Sequence, residues 1–142
     1  MLRDRGKCTV TMNANKTINA TFNRLPLPDF VITGITLTPT SPAANATFTA
    51  NVTVKNQGAA LGYGKLLTIW LDHSAVQTCR ANGGRSITVG ALANGASKIM
   101  TISGFIAVVK GSKTLRAFVD STCSTAEFNE GNNQFTKTYI VR

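Results

Sequence analysis

Acidic residues are scarce in this chain of 142, six in all, and two of them stand together in Glu127-Phe-Asn-Glu-Gly-Asn-Asn-Gln134, with Asp120 just upstream. Glu127 and Glu130, flanked by Asn129, Asn132 and Asn133, offer oxygen ligands only. Hard oxygen donors suit calcium, but an EF-hand loop needs Asp or Asn at alternate positions and a glycine at its sixth, a spacing this run lacks. Acid/base hydrolysis of a glycoside needs two carboxyl groups facing each other across a cleft. Two on one short connection rarely do. Asn and Gly tolerate left-handed backbone, and Asn side chains bond their own turn. The run is therefore expected to be a loop between two strands, with no catalytic residue, metal ligand or cofactor assigned. Calcium near Asp120, Glu127 and Glu130 stays open at this level.

Other chemistry-bearing residues point the same way. The one histidine, His73, directly follows Asp72. A nucleophilic triad needs its acid to orient the imidazole from outside, not from the next position on an alternating strand. Cys8, Cys79 and Cys123 are far apart with no CxxC, so a zinc site is not expected. Sugar-binding faces stack rings on exposed aromatics, and Tyr63, Trp70, Phe105 and Phe128 are the candidates; each would serve equally well in a core. Asn15, Asn19, Asn45 and Asn51 match the glycosylation acceptor pattern, which chance produces in a chain so rich in Asn and Thr. The net charge is +9, but the lysines and arginines are dispersed along the chain. Dispersed lysines on strand edges discourage aggregation, and neither nucleic acid nor membrane insertion is expected. No run reaches the roughly 18 apolar residues of a spanning helix.

The elements that must carry these residues read as strands. Thr47–Lys55 is the clearest, with Phe48, Ala50, Val52 and Val54 on one face and Thr47, Thr49, Asn51 and Thr53 on the other. Further strands are predicted over 30–38, 65–72, 76–80, 86–89, 98–105, 112–120 and 134–141. The dense run Leu66-Leu-Thr-Ile-Trp-Leu71 suits a strand covered on both faces. Residues 8–23 read as a short hairpin and 25–28 as a proline-stiffened linker. About seven short strands with turn residues between them and no helical stripe predict an all-β fold, an immunoglobulin-like antiparallel β-sandwich over 29–142.

The runs "PDFVITGITLTPTSPAANATFTANVTVKNQG" (28–58), "LTIWLDH" (67–73), "VGALANGASK" (89–98), "KTLRAFVDS" (113–121) and "NEGNNQFTKTYIV" (129–141) resemble the bacterial cell-adhesion-related domain, CARDB. The resemblance implies a seven-stranded, non-catalytic sandwich in secreted or surface proteins, usually one module among many, and it carries over no binding residues. The stretch Thr78–Gly84 departs from the plainer family pattern. "CTVTMNANKTINATFN" (8–23) is similar to the closing strands of an internalin B-like surface β-repeat. Residues 1–24 are expected to be the tail of such a module, with Cys8 left without its partner. If 76–80 turns back along 65–72, and 112–120 also runs antiparallel beside it, Cys79 and Cys123 meet at one end of the sandwich. A bridge there is expected, against two free buried thiols, and implies an oxidising compartment.

The function expected is that of a non-catalytic extracellular module of a larger bacterial surface or secreted protein, acting in adhesion, display or spacing. The alternative is a carbohydrate-binding accessory module of a secreted hydrolase. Partners are a protein or glycan ligand and the neighbouring domains of the same chain.

Overall fold

The computed structural model describes residues 9–19 and 24–142. Among the described residues every regular element is a strand. β1 (Phe30–Thr38), β2 (Thr47–Asn56) and β7 (Ser97–Ile106) form one antiparallel sheet in the order β1-β2-β7. β5 (Arg85–Thr88), β4 (Leu66–Leu71), β8 (Gly111–Phe118) and β9 (Gln134–Val141) form the other, in the order β5-β4-β8-β9. The short strands β3 (Gly62–Tyr63) and β6 (Ala91–Leu92) pair with each other.

Alternation in β2 predicts its inner face, and Phe48, Ala50, Val52 and Val54 are all buried. On β7, Val52 faces Met100 and Ala50 faces Ile102. Phe105 would fall out of phase, but an extra residue at Ser103–Gly104 restores its inward direction opposite Phe48. Gly104 takes a φ of +78° there. In β1 an extra residue, Thr33, lets Ile32 and Ile35 both face the core. Opposite this layer stand Leu67, Ile69, Leu115, Ala117, Tyr139 and Val141. Phe48 joins the two layers, its ring centroid 5.6 Å from Phe105 and 5.7 Å from Tyr139. Each such side chain contributes about 1.5–3 kcal/mol by leaving water.

The segment expected as a strand at Val76–Arg80 is a loop instead. It lacks apolar alternation, and its backbone groups bond to side chains and loop ends. Gln77 N donates to Gln134 Oε1 (3.0 Å), Gln134 Nε2 donates to Gln77 O (2.8 Å) and Arg80 N donates to Ser121 O (2.7 Å). These bonds lay residues 73–84 across the outer face of the second sheet. Trp70, expected in or beside the main core, sits under that cover on the far face of β4, and its Nε1 donates to Asn82 O (2.9 Å). Arg116, directly across from Trp70, is buried there too and donates to Ser74 O and Gln134 Oε1. Gly84 is required for the close approach, since a Cβ would come within 2.4 Å of Thr68 Cγ2 and 2.8 Å of the Trp70 ring. β4 is thus buried on both faces, the second by the stretch that departs from the family pattern.

The hairpin expected over 8–23 falls partly on residues outside the described ones. Residues 9–19 carry no strand assignment and bend at Asn13–Ala14. Cys8 also lies outside them.

Cys79 and Cys123 are bonded, with Cα atoms 5.6 Å apart, and both stand exposed at the rim of the cover. The covering segment holds almost no large apolar side chains, so the bridge restrains it. Replacing both cysteines by serine is expected to cost about 4 kcal/mol from loop closure alone. It should also wet Trp70, the single tryptophan, giving a red-shifted emission before global unfolding. An unchanged urea midpoint and emission maximum in the double variant would contradict the restraint.

Candidate functional site

The buried polar groups collect where β2 ends and β9 begins. Asn56, the last residue of β2, is fully buried and makes four hydrogen bonds. Its Oδ1 accepts from Asp29 N (3.0 Å) and Gly58 N (3.0 Å), and its Nδ2 donates to Ala60 O (2.8 Å) and Leu92 O (2.9 Å). One side chain therefore ties the start of β1, the β2–β3 connection and β6. The Asp29 carboxylate accepts from Gln57 Nε2 (3.0 Å) and Asn132 Nδ2 (2.9 Å).

Glu127–Gln134 closes the same end. Glu127 is 6 % exposed. One carboxylate oxygen accepts from Phe30 N, the first residue of β1, and the other from Asn133 Nδ2 (2.7 Å). Glu130 Oε1 accepts from Glu127 N (2.8 Å) and Asn129 Oδ1 from Gly131 N (2.9 Å). The connection is thus a loop whose Asn and Glu side chains bond its own backbone and that of β1. Asp120 acts likewise: its carboxylate accepts from Ser124 N (3.1 Å) and Thr125 N (2.8 Å) and from Thr122 Oγ1 (3.1 Å). Among the described residues no three His, Cys, Asp or Glu side chains stand close enough to share a metal ion.

Burial pushes the Glu127 carboxyl up to about 7, with Glu130 and Asp120 adding repulsion; the bonds from Phe30 N and Asn133 oppose the rise. Among the described residues the one salt bridge is remote from this end, Lys113 Nζ to Asp72 Oδ2 at 2.9 Å. That contact occupies the acid beside His73, whose exposed ring stands 3.5 Å from Gln77 Nε2.

The aromatic candidates separate. Trp70 and Phe105 are buried, while Tyr63 and Phe128 are exposed. Each exposed ring carries a cation: Lys65 Nζ lies 5.9 Å from the Tyr63 centroid, and the Arg24 guanidinium 4.5 Å from that of Phe128. Asn15, Asn19 and Asn45 are exposed, and Asn51 Oδ1 accepts from Thr101 Oγ1 (2.8 Å) across the outer face of the first sheet. The residues that sequence reasoning missed are Asp29 and Asn56. The signal for Asn56 was its place at the end of a strand whose alternation turned it inward, where a polar side chain must find partners.

Asn56→Ala leaves four backbone groups without this partner and is expected to cost about 3 kcal/mol or more in urea unfolding. Gln57→Ala, on the exposed neighbour, should cost under about 1 kcal/mol. For Glu127 the folded group binds its proton more tightly than the unfolded one. Its contribution to stability is therefore full below the ordinary carboxylate range and is lost as pH rises through about 7. Unfolding free energy should fall between about pH 5 and 7, by at most ~1.4 kcal/mol per unit from this group. Glu127→Gln should remove that slope, and an identical slope in both proteins would refute the assignment.

The CARDB family model matches residues 27–137. Among solved structures, the CARDB domain of a Pyrococcus furiosus protein, described in complex with di-metal ions, aligns with a TM-score of 0.60 at 19% identity, over 84% of this chain and 97% of that one. A domain of a candidate cell surface protein from Methanosarcina acetivorans aligns with a TM-score of 0.57 at 24% identity, over 82% and 93%. A β-glucosidase from Erythrobacter marinus contains a similar fold, with a TM-score of 0.50 at 13% identity, over 81% of this chain and 16% of the enzyme. No curated protein matches the chain. At these identities the structures speak for the fold alone. With most of its length matched by the family model and its β-sandwich shared with solved CARDB domains, the chain belongs to the CARDB family.

Proposed function

We propose that the chain is a non-catalytic extracellular module of a larger bacterial surface or secreted protein, acting in adhesion, display or spacing. The observation that carries this reading is the occupation of Glu127. Burial raises its carboxyl to about 7, where it could act as an acid or base near neutrality, yet both its oxygens already hold Phe30 N and Asn133 Nδ2. An acid/base catalyst needs a free group aimed at a substrate. The exposed Cys79–Cys123 bridge fits an oxidising compartment outside the cell. Its ligand, on this reading, is a protein or a glycan, and its constant partners are the neighbouring domains.

A second reading, a carbohydrate-binding accessory module, draws on Tyr63 and Phe128, exposed at the same end of the sandwich. The fold's occurrence inside a β-glucosidase is compatible with it. Against it stands the cation over each ring, which occupies a face a sugar would stack on. Affinity electrophoresis through gels containing neutral polysaccharides separates the two. The spacing reading expects no retardation. Retardation abolished in Tyr63→Ala and Phe128→Ala would establish the second reading instead.

A further inference from the structure

The prolines of Arg24-Leu-Pro-Leu-Pro28 mark a stiff linker in the sequence, but the structure does not leave this segment standing free. Leu27 O accepts from Ala59 N (2.9 Å) and Ala60 N (3.3 Å), Pro28 O from Phe128 N (2.8 Å), and Asp29 O from Gln57 N (2.8 Å). Pro28 is buried, its ring against Gly62, where a Cβ would come within 2.4 Å of it. Gly58 is as tightly placed, and against backbone: a Cβ there would lie 2.5 Å from Leu27 O and from Asp29 N. At the outer limit of the contact the Arg24 guanidinium lies over the Phe128 ring. Phe128 is 55% exposed, so the core does not account for its place; the linker's backbone and cation do.

We infer that Gly58, Gly62 and Phe128 form a joint whose occupant is the chain's own segment 24–28, so that the sandwich fixes the direction of the segment leading into β1 instead of leaving it a loose tether. Three physical features combine here. Pro26 and Pro28 restrict the backbone before docking, which lowers the entropy lost on binding. Three carbonyls of consecutive residues take loop N–H groups, as an added strand would. The cation over Phe128 extends the contact to Arg24. A module fixed in direction presents its neighbours at a set angle, whereas a free linker lets them sample many. The joint goes beyond the spacing reading and stands without it, because a sugar-binding module could be held in the same way.

Limited proteolysis of the full chain with trypsin tests the joint. Cleavage needs several residues of extended, detached backbone, so the Arg24–Leu25 bond is open to the protease only when the joint has opened. The exposed Lys16–Thr17 bond in the same chain serves as the control. Gly58→Ala and Phe128→Ser should each speed cleavage at Arg24–Leu25 by about tenfold or more and leave the Lys16–Thr17 rate unchanged. Trp70 emission, remote from the joint, reports that both variants remain folded. Amide relaxation gives an independent reading: Leu25 and Leu27 should be as rigid as β2 in the wild type and mobile in the variants. Equal Arg24–Leu25 cleavage in wild type and both folded variants, or mobile Leu25 and Leu27 amides in the wild type, would overturn the inference.

Discussion

Four backbone groups converge on the side chain of Asn56, and the loop end of the sandwich is organised around that convergence. Where strands stop, the backbone N–H and C=O groups lose their ladder partners. If the end is buried they must be satisfied by side chains. Asn56 does this for two donors and two acceptors at once, which a carboxylate or a hydroxyl of similar size cannot. The Asp120 and Glu127 carboxylates take three more backbone N–H groups, and Asp29 takes two side-chain amides. The cost is three acidic groups withdrawn from solvent, one of them held near a pKa of 7 by burial. A consequence for the surface follows. Among the described residues the acids left to face water are Asp72, paired with Lys113, and Glu130. Over the described residues the exterior is therefore more basic than composition alone implies.

The second layer of order lies outside the sandwich. A strand buried on both faces needs a second cover, and here the cover is a loop with little apolar content. It is held by reciprocal Gln77–Gln134 bonds, by the Trp70 indole and by a covalent bridge. Arg116 shows the strain of this arrangement: it is buried without a carboxylate beside it, and its Nε has no partner. A buried guanidinium bonded to carbonyl oxygens is tolerable while the cover stays closed. The loop and the sheet face it covers are thus mutually dependent.

These two devices separate the legible from the illegible. The strands at 30–38, 47–55 and 134–141 could be read closely because alternation with a period of two is a local property of the chain. The loop character of Glu127–Gln134 was readable from Asn and Gly turn chemistry. The strand at Val76–Arg80 was misread because a short polar run adjacent to a strong strand has no local signal separating pairing from covering. The bulges at Thr33 and Ser103–Gly104 were invisible for a related reason: they reset alternation only when a partner strand imposes a register.

By itself the sequence determined that this chain builds an antiparallel sandwich, since the burial of one face of each strand is written into the order of apolar and polar residues. Tertiary structure alone decided what the polar motifs are for. The asparagine in "VKNQG" and the glutamate and asparagines of "EFNEGNNQ" lie far apart in the chain, and each reads locally as turn chemistry. Their common task arises because folding brings them, with the start of β1, to one water-excluded end, where every unpaired backbone group requires a partner that only distant side chains can supply.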